Sequence, residues 1–180
     1  MSTPQKLDKP ITLYKLTDQN MQTHGGFQWA LGRPREASGS GGLCGPGWLH
    51  AYSDPALAVA LNPIHADYSN PRLFVAEGHG MLLDDRGLKC GVTQLTLVAR
   101  QSPPKISTAA KVHFAILCGK MVYTRTDWLA WADAWLDRAD RTAVAAYAAY
   151  AANPASAAYA AAALPLAALL AQAIRAEQEG

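Results

Sequence analysis

The stretch with the most chemical potential lies at residues 45–61, where a glycine turn leads into a β-rich run ending in His50, Tyr52 and Ser53, followed by Asp54-Pro55 and a series of small and apolar residues. A strand that carries polar side chains to the start of a helix brings them beside unpaired backbone N–H groups, where an anionic or nucleotide ligand can sit. The same residues also have a purely structural use: Ser53 or Asp54 caps the helix, and His50 bonds a carbonyl within the sheet. Glu77-Gly78-His79-Gly80 sets a carboxylate and an imidazole beside glycines that admit a close ligand. That is either an acid–base pair at a strand end or a solvated turn. Asp84-Asp85-Arg86-Gly87 reads as a hairpin turn, with Gly87 at the position that requires positive φ. Cys44 and His50 have the makings of a nucleophile pair, because Cys44 sits in a glycine-rich loop.

Other chemistries find less support. The three cysteines and five histidines contain no C-x-x-C pair, so no metal is expected and the thiols are read as reduced. The glycine-rich stretch at 39–47 lacks the G-K-[ST] ending of a phosphate-binding loop. Net charge is +2 and the pI about 8.5, below the strongly basic balance of a dedicated nucleic-acid binder. The average hides an asymmetry, because residues 1–125 hold 13 Lys+Arg against 8 Asp+Glu, whereas residues 126–180 hold 3 against 6. Half the residues are apolar and 17% are charged, which excludes disorder as the overall state. No apolar run reaches the roughly 18 residues of a membrane span, and the polar start has no signal-peptide pattern. The chain is therefore expected to be soluble and cytoplasmic.

Positioning these residues requires a sheet and a set of helices. Strand character appears at 11–17, 27–31, 48–52, 72–77, 81–83 and 92–100, each run bounded by turn residues. In the first of these, Ile11, Leu13 and Lys15 alternate with Thr12, Tyr14 and Leu16. A helix starts at Asp54-Pro55 and is expected to stop at Asn62-Pro63. Residues 32–47 hold six glycines and two prolines, the composition of a mobile or ligand-shaped loop.

Three further helical segments follow. One is capped at Ser107 or Thr108 and runs to Tyr123. The next begins at Thr126 and is expected to reach about residue 152. The last covers 155–177 and is expected to kink at Pro165. Of the 51 residues from 130 to 180, 23 are Ala, which favours helix but offers little apolar area for packing. The Trp128, Trp131, Trp135 stripe reads as a core-facing seam, with Asp133, Asp137 and Asp140 on the solvated side. The fold class is therefore α+β: a small, twisted, mainly antiparallel sheet of about six strands with one crossing helix, then an Ala-rich C-terminal helical bundle. The expected domains are 1–125, a sheet domain ending in a buried helix, and 126–180, a helical extension packed on it.

Tyr14-Lys15, Gly26-Phe27-Gln28-Trp29-x-x-Gly32, Cys44-x-x-Gly47-Trp48-Leu49-His50-Ala51-x-x-x-Pro55 and Arg72-Leu73-Phe74-x-x-Glu77 together resemble a family of uncharacterised domains met mostly in bacteriophage and prophage proteins, over about residues 11–125. A basic residue on the first strand, followed by a glycine-led strand entering a helix, also resembles the core of ADP-ribosyltransferase-like domains. That resemblance implies an NAD or nucleotide pocket lined by Lys15, Gln28, His50 and Ser53, with Glu77 and His50 in catalytic roles. The chain departs from it by having Lys15 where Arg or His is usual, no S-T-S triplet, and neither an E-x-E nor a Q-x-E pair.

The first functional reading is thus a phage-type protein with an ADP-ribosyltransferase-like NAD or nucleotide pocket. A non-enzymatic protein that binds and inhibits or sequesters a host defence component, acting in the host cytoplasm, is the alternative. Nucleic-acid binding through Arg33, Arg35, Arg72 and Arg86 is a third. Oligomerisation through the C-terminal helices is compatible with each, and no membrane partner is expected.

Overall fold

The computed structural model describes residues 3–139, 141 and 164–179. The chain divides into two compact units, residues 1–105 and 106–180. The division falls ahead of the helix at 108–120, which therefore groups with the helical unit and not with the sheet.

The first unit is a curled, antiparallel, six-stranded sheet. Its long elements are β2 (Ile11–Thr17), β7 (Arg72–Asp84) and β8 (Cys90–Gln101); β1 (Gln5–Lys6), β5 (Arg35–Glu36) and β6 (Leu49–Ala51) are short additions, and β3 (Gln22–Thr23) and β4 (Phe27–Gln28) form a separate two-stranded ribbon. β7 pairs with β2 on one side and with β8 on the other, and β6 pairs with β8. Just past β6, Tyr52 exchanges backbone hydrogen bonds with Tyr14 of β2 at 2.8 and 2.9 Å. The circuit β2–β7–β8–β6 thus curls back on itself. Alternation along the strands sends one set of side chains inward. Leu13, Leu49, Ala51, Phe74, Val92 and Leu97 belong to this interior, together with Trp29. Each fully buried leucine or phenylalanine contributes about 1.5–3 kcal/mol of transfer free energy.

Two local readings change. The runs at 72–77 and 81–83 are one strand, because the glycines between them serve packing and a bulge and not a turn. A Cβ on Gly78 would stand 2.8 Å from a Leu13 methyl, and Gly80 adopts φ +78° where two β7 residues lie opposite Thr93. The helix α1 (Pro55–His65) passes through Pro63, which lies in its last turn. What ends it is Asn62, whose side-chain amide binds Tyr68 N–H and C=O while its carbonyl accepts from Ala66 and Asp67. Asp54 caps its start by accepting from Ala56 and Leu57 N–H, with Pro55 following in the first turn. α1 packs against β2.

The helical unit contains α2 (Thr108–Lys120), α3 (Thr126–Leu136) and α4 (Leu166–Gln178), giving four α-helices among the described residues of the chain. Ser107 caps α2 through Ala110 N–H. α3 ends at Leu136, where Arg138 takes a left-handed φ of +64°, so the expected continuation to 152 stops early and its remainder lies outside the described residues. α4 begins immediately after Pro165, and residues 155–163 of the expected helix also lie outside the described residues. Trp135 is buried with Ile116 and Ala132, while Trp128 and Trp131 pack half-buried at the margin. Glu177 of α4 accepts from Nη1 and Nη2 of Arg141 at 2.9 and 2.8 Å and contacts His113 Nδ1 at 2.9 Å. The Arg141 guanidinium, then the His113 bond, hold the Glu177 carboxyl down at about 2.

Candidate functional site

Lys15 belongs to the inward-facing series Leu13, Lys15, Thr17 on β2, and only 7% of it is exposed. Its ammonium carries three N–H donors. One is given to the main-chain carbonyl of His50, and the nitrogen lies 5.1 Å from the centre of the Trp29 ring. None of the ion pairs among the described residues brings a carboxylate to it. Burial therefore holds the amine down at about 8, with Cys90 acting in the opposite direction. Lys15 is thus an interior cation with no carboxylate partner among the described residues.

Trp29 reaches this position from the segment between β3 and β5. Its backbone N–H donates to Met21 at 2.9 Å and its indole N–H to Thr23 Oγ1 at 3.0 Å. Gly25, Gly26 and Gly32 bracket it with φ of +68°, +73° and +68°, conformations that glycine takes without strain. The result is a strap that lays Trp29 against the interior of the curled sheet, with left-handed glycines at each end.

The other expected pocket residues are placed differently. His50 meets Lys15 through its carbonyl only. Its neighbours Leu49 and Ala51 point inward, so its imidazole points to the opposite face, where Nε2 contacts the Leu43 carbonyl of the glycine-rich loop. Burial, then Lys15 and Lys89, push that imidazole towards its neutral form. The Gln28 amide is exposed and donates to the carbonyls of Asn20, Met21 and Trp29, which fixes the strap and leaves no contact with Lys15. Ser53 is exposed, and the capping role belongs to Asp54.

Glu77 lies opposite Thr12 on β2, whereas Lys15 lies opposite Phe74. Successive residues of a strand alternate faces, so Glu77 and Lys15 occupy opposite faces of the sheet. Glu77 is instead paired at 3.7 Å with His79, both substantially exposed. Lys15, His50 and Glu77 therefore do not converge on one hollow. Nor do the four arginines form one patch, because Arg72 and Arg86 lie at opposite ends of the β7–β8 hairpin.

A second cluster occupies the outer face near β6. Tyr52 Oη and His65 Nδ1 are 2.9 Å apart, with the rings stacked at 5.8 Å. Burial, then the Lys89 charge, push His65 down to about 4, and burial raises the Tyr52 hydroxyl. Lys89 Nζ also contacts Cys44 Sγ at 3.4 Å. Cys44 is exposed, whereas burial pushes the Cys90 and Cys118 thiols up to about 12. Among the described residues no three of His, Cys, Asp and Glu stand close enough to share a metal ion, and no helix is long and apolar enough to cross a membrane.

Sequence reasoning missed Trp29, His65 and Lys89. The signal for Trp29 was present: a charged residue on the apolar side of β2 requires a neighbour able to tolerate it, and an indole face does so. Comparison with family models, with curated proteins and with solved structures finds no match to this chain.

Proposed function

We propose that the curled sheet binds a small molecule that joins an aromatic ring to an anionic group, of the nucleotide or NAD class, with Lys15 as the counter-charge and Trp29 as the stacking surface. The observation that carries this reading is the ammonium enclosed at 7% exposure with one hydrogen-bond acceptor and no carboxylate. Buried lysines are disfavoured unless paired, so an unpaired one points to an anion that belongs beside it. A phosphate would take up the N–H donors that His50 leaves. Binding without ADP-ribosyl transfer is the better account, because the acid assigned to transfer, Glu77, lies on the other face.

Thermal unfolding with NAD, ADP, pyrophosphate and adenosine, each at millimolar concentration, tests this. NAD and ADP are expected to raise the melting temperature, adenosine to raise it much less, and Lys15→Met to cancel the shift for every anion. A shift of equal size in Lys15→Met, or none in the unaltered chain with any of the four, would overturn the reading.

A further inference from the structure

A different surface, independent of Lys15, is the outer edge of β8. β8 is paired with β7 from Cys90 to Gln101. Its other side is lined only in part: by β6 at residues 90–92, by the Ala37 N–H at Thr93, by β5 at Gln94 and Leu95, and by Leu31 and Gly32 at Leu97. Beyond Leu97, no strand lies on that side among the described residues. At the same point the ladder bulges, with Val98 as the extra residue between the pairs Ala76–Leu97 and Val75–Ala99. Val98 is 55% exposed and Leu31 51%. An open edge with apolar side chains offers its main-chain donors and acceptors to another extended chain.

Charge selects among the possible occupants. Arg72 and Arg100 lie at this end of the hairpin, and no carboxylate pairs with either among the described residues. The Arg72 Nε is buried without a hydrogen-bond partner. A second copy of the chain pairing edge to edge would bring its own Arg72 and Arg100 to the same end, and like charges across a ladder are unfavourable. A nucleic acid would answer the arginines but leave the strand edge and Val98 unused. We propose that residues 98–101 receive an extended, acidic segment of a partner protein as an added strand.

Chemical-shift mapping on the full, isotope-labelled chain tests this with a soluble peptide of alternating Glu and Val, its Lys/Val counterpart and a short single-stranded oligonucleotide. The Glu/Val peptide should shift the amides of Val98–Gln101 and Leu31 saturably, and the Lys/Val peptide should not. Arg100→Glu, an exposed substitution that leaves the fold intact, should weaken the Glu/Val peptide about fivefold and admit the Lys/Val peptide. Equal response to both peptides, no response of these amides, or displacement of the peptide by the oligonucleotide would overturn the proposal.

Discussion

Replacing Lys15 with methionine should stabilise the sheet unit at neutral pH, against the usual outcome of altering a buried residue. An ordinary lysine titrates near 10.5, and burial holds Lys15 near 8. That gap corresponds to about 3 kcal/mol by which the folded state disfavours the charged amine. Because the folded chain binds the proton less readily than the unfolded one, stability rises as pH increases from about 8 towards 10.5 and is lowest below 8. About 2.5 kcal/mol of the effect falls between pH 7 and pH 10. Lys15→Met removes this dependence. At pH 7 it should gain about 1–2 kcal/mol net, once the lost bond to His50 and the contact with Trp29 are deducted. The assay is urea unfolding at pH 7 and pH 10, followed through the methyl signals of the interior residues Val92, Leu95 and Leu97, in both proteins. The difference between the two proteins isolates Lys15 from every other titrating group. A difference that stays constant across that interval, or a variant destabilised by more than about 2 kcal/mol at pH 7, would refute the reasoning.

Further consequences can be checked separately. Asp54→Ala removes the acceptor for two N–H groups of α1 and should cost about 1 kcal/mol by urea unfolding, with Asp54→Asn recovering most of it. Gly80→Ala places a methyl 2.2 Å from Thr93 Oγ1 at a positive φ, and should destabilise the sheet by about 2 kcal/mol or more in the same assay. Glu177 has a depressed carboxyl, so its contribution is present above pH 4.5 and lost as pH falls towards 2. Circular dichroism should therefore show the helical unit melting at lower temperature across that interval, and Glu177→Gln should flatten the dependence. Iodoacetamide should label Cys44 alone in the native protein, with Cys90 and Cys118 reacting only after unfolding, as mass spectrometry would show.

The alternations in β2 and β8 were legible because a half-buried strand writes its two faces into the order of its residues. The same alternation already set Lys15 beside Ile11 and Leu13, on the side that turned out to be the interior. The error at Glu77 arose at Gly78 and Gly80. Glycine punctuates turns more often than it fills bulges, and only the side chains of Leu13 and Thr93, distant in sequence, show that space is the reason here. Once β7 runs straight through, register with Thr12 fixes the face of Glu77, and no property of the segment alone reveals that. Ser53 and Asp54 are both cap candidates in the sequence, since both types accept from a helix N-terminus, and the choice depends on one residue of backbone phase. α1 passes through Pro63 in its last turn, and Asn62 then secures the chain that leaves the helix through Tyr68.

The most direct test of the central claim is an NMR titration of the Lys15 side-chain nitrogen and its adjacent carbon, in the full chain, with and without ADP. A midpoint near 8 in the free protein, moving upward when the nucleotide's phosphates supply the missing negative charge, is the predicted result. A midpoint at the ordinary lysine value in the free protein, or one that saturating ADP leaves unmoved, would contradict it.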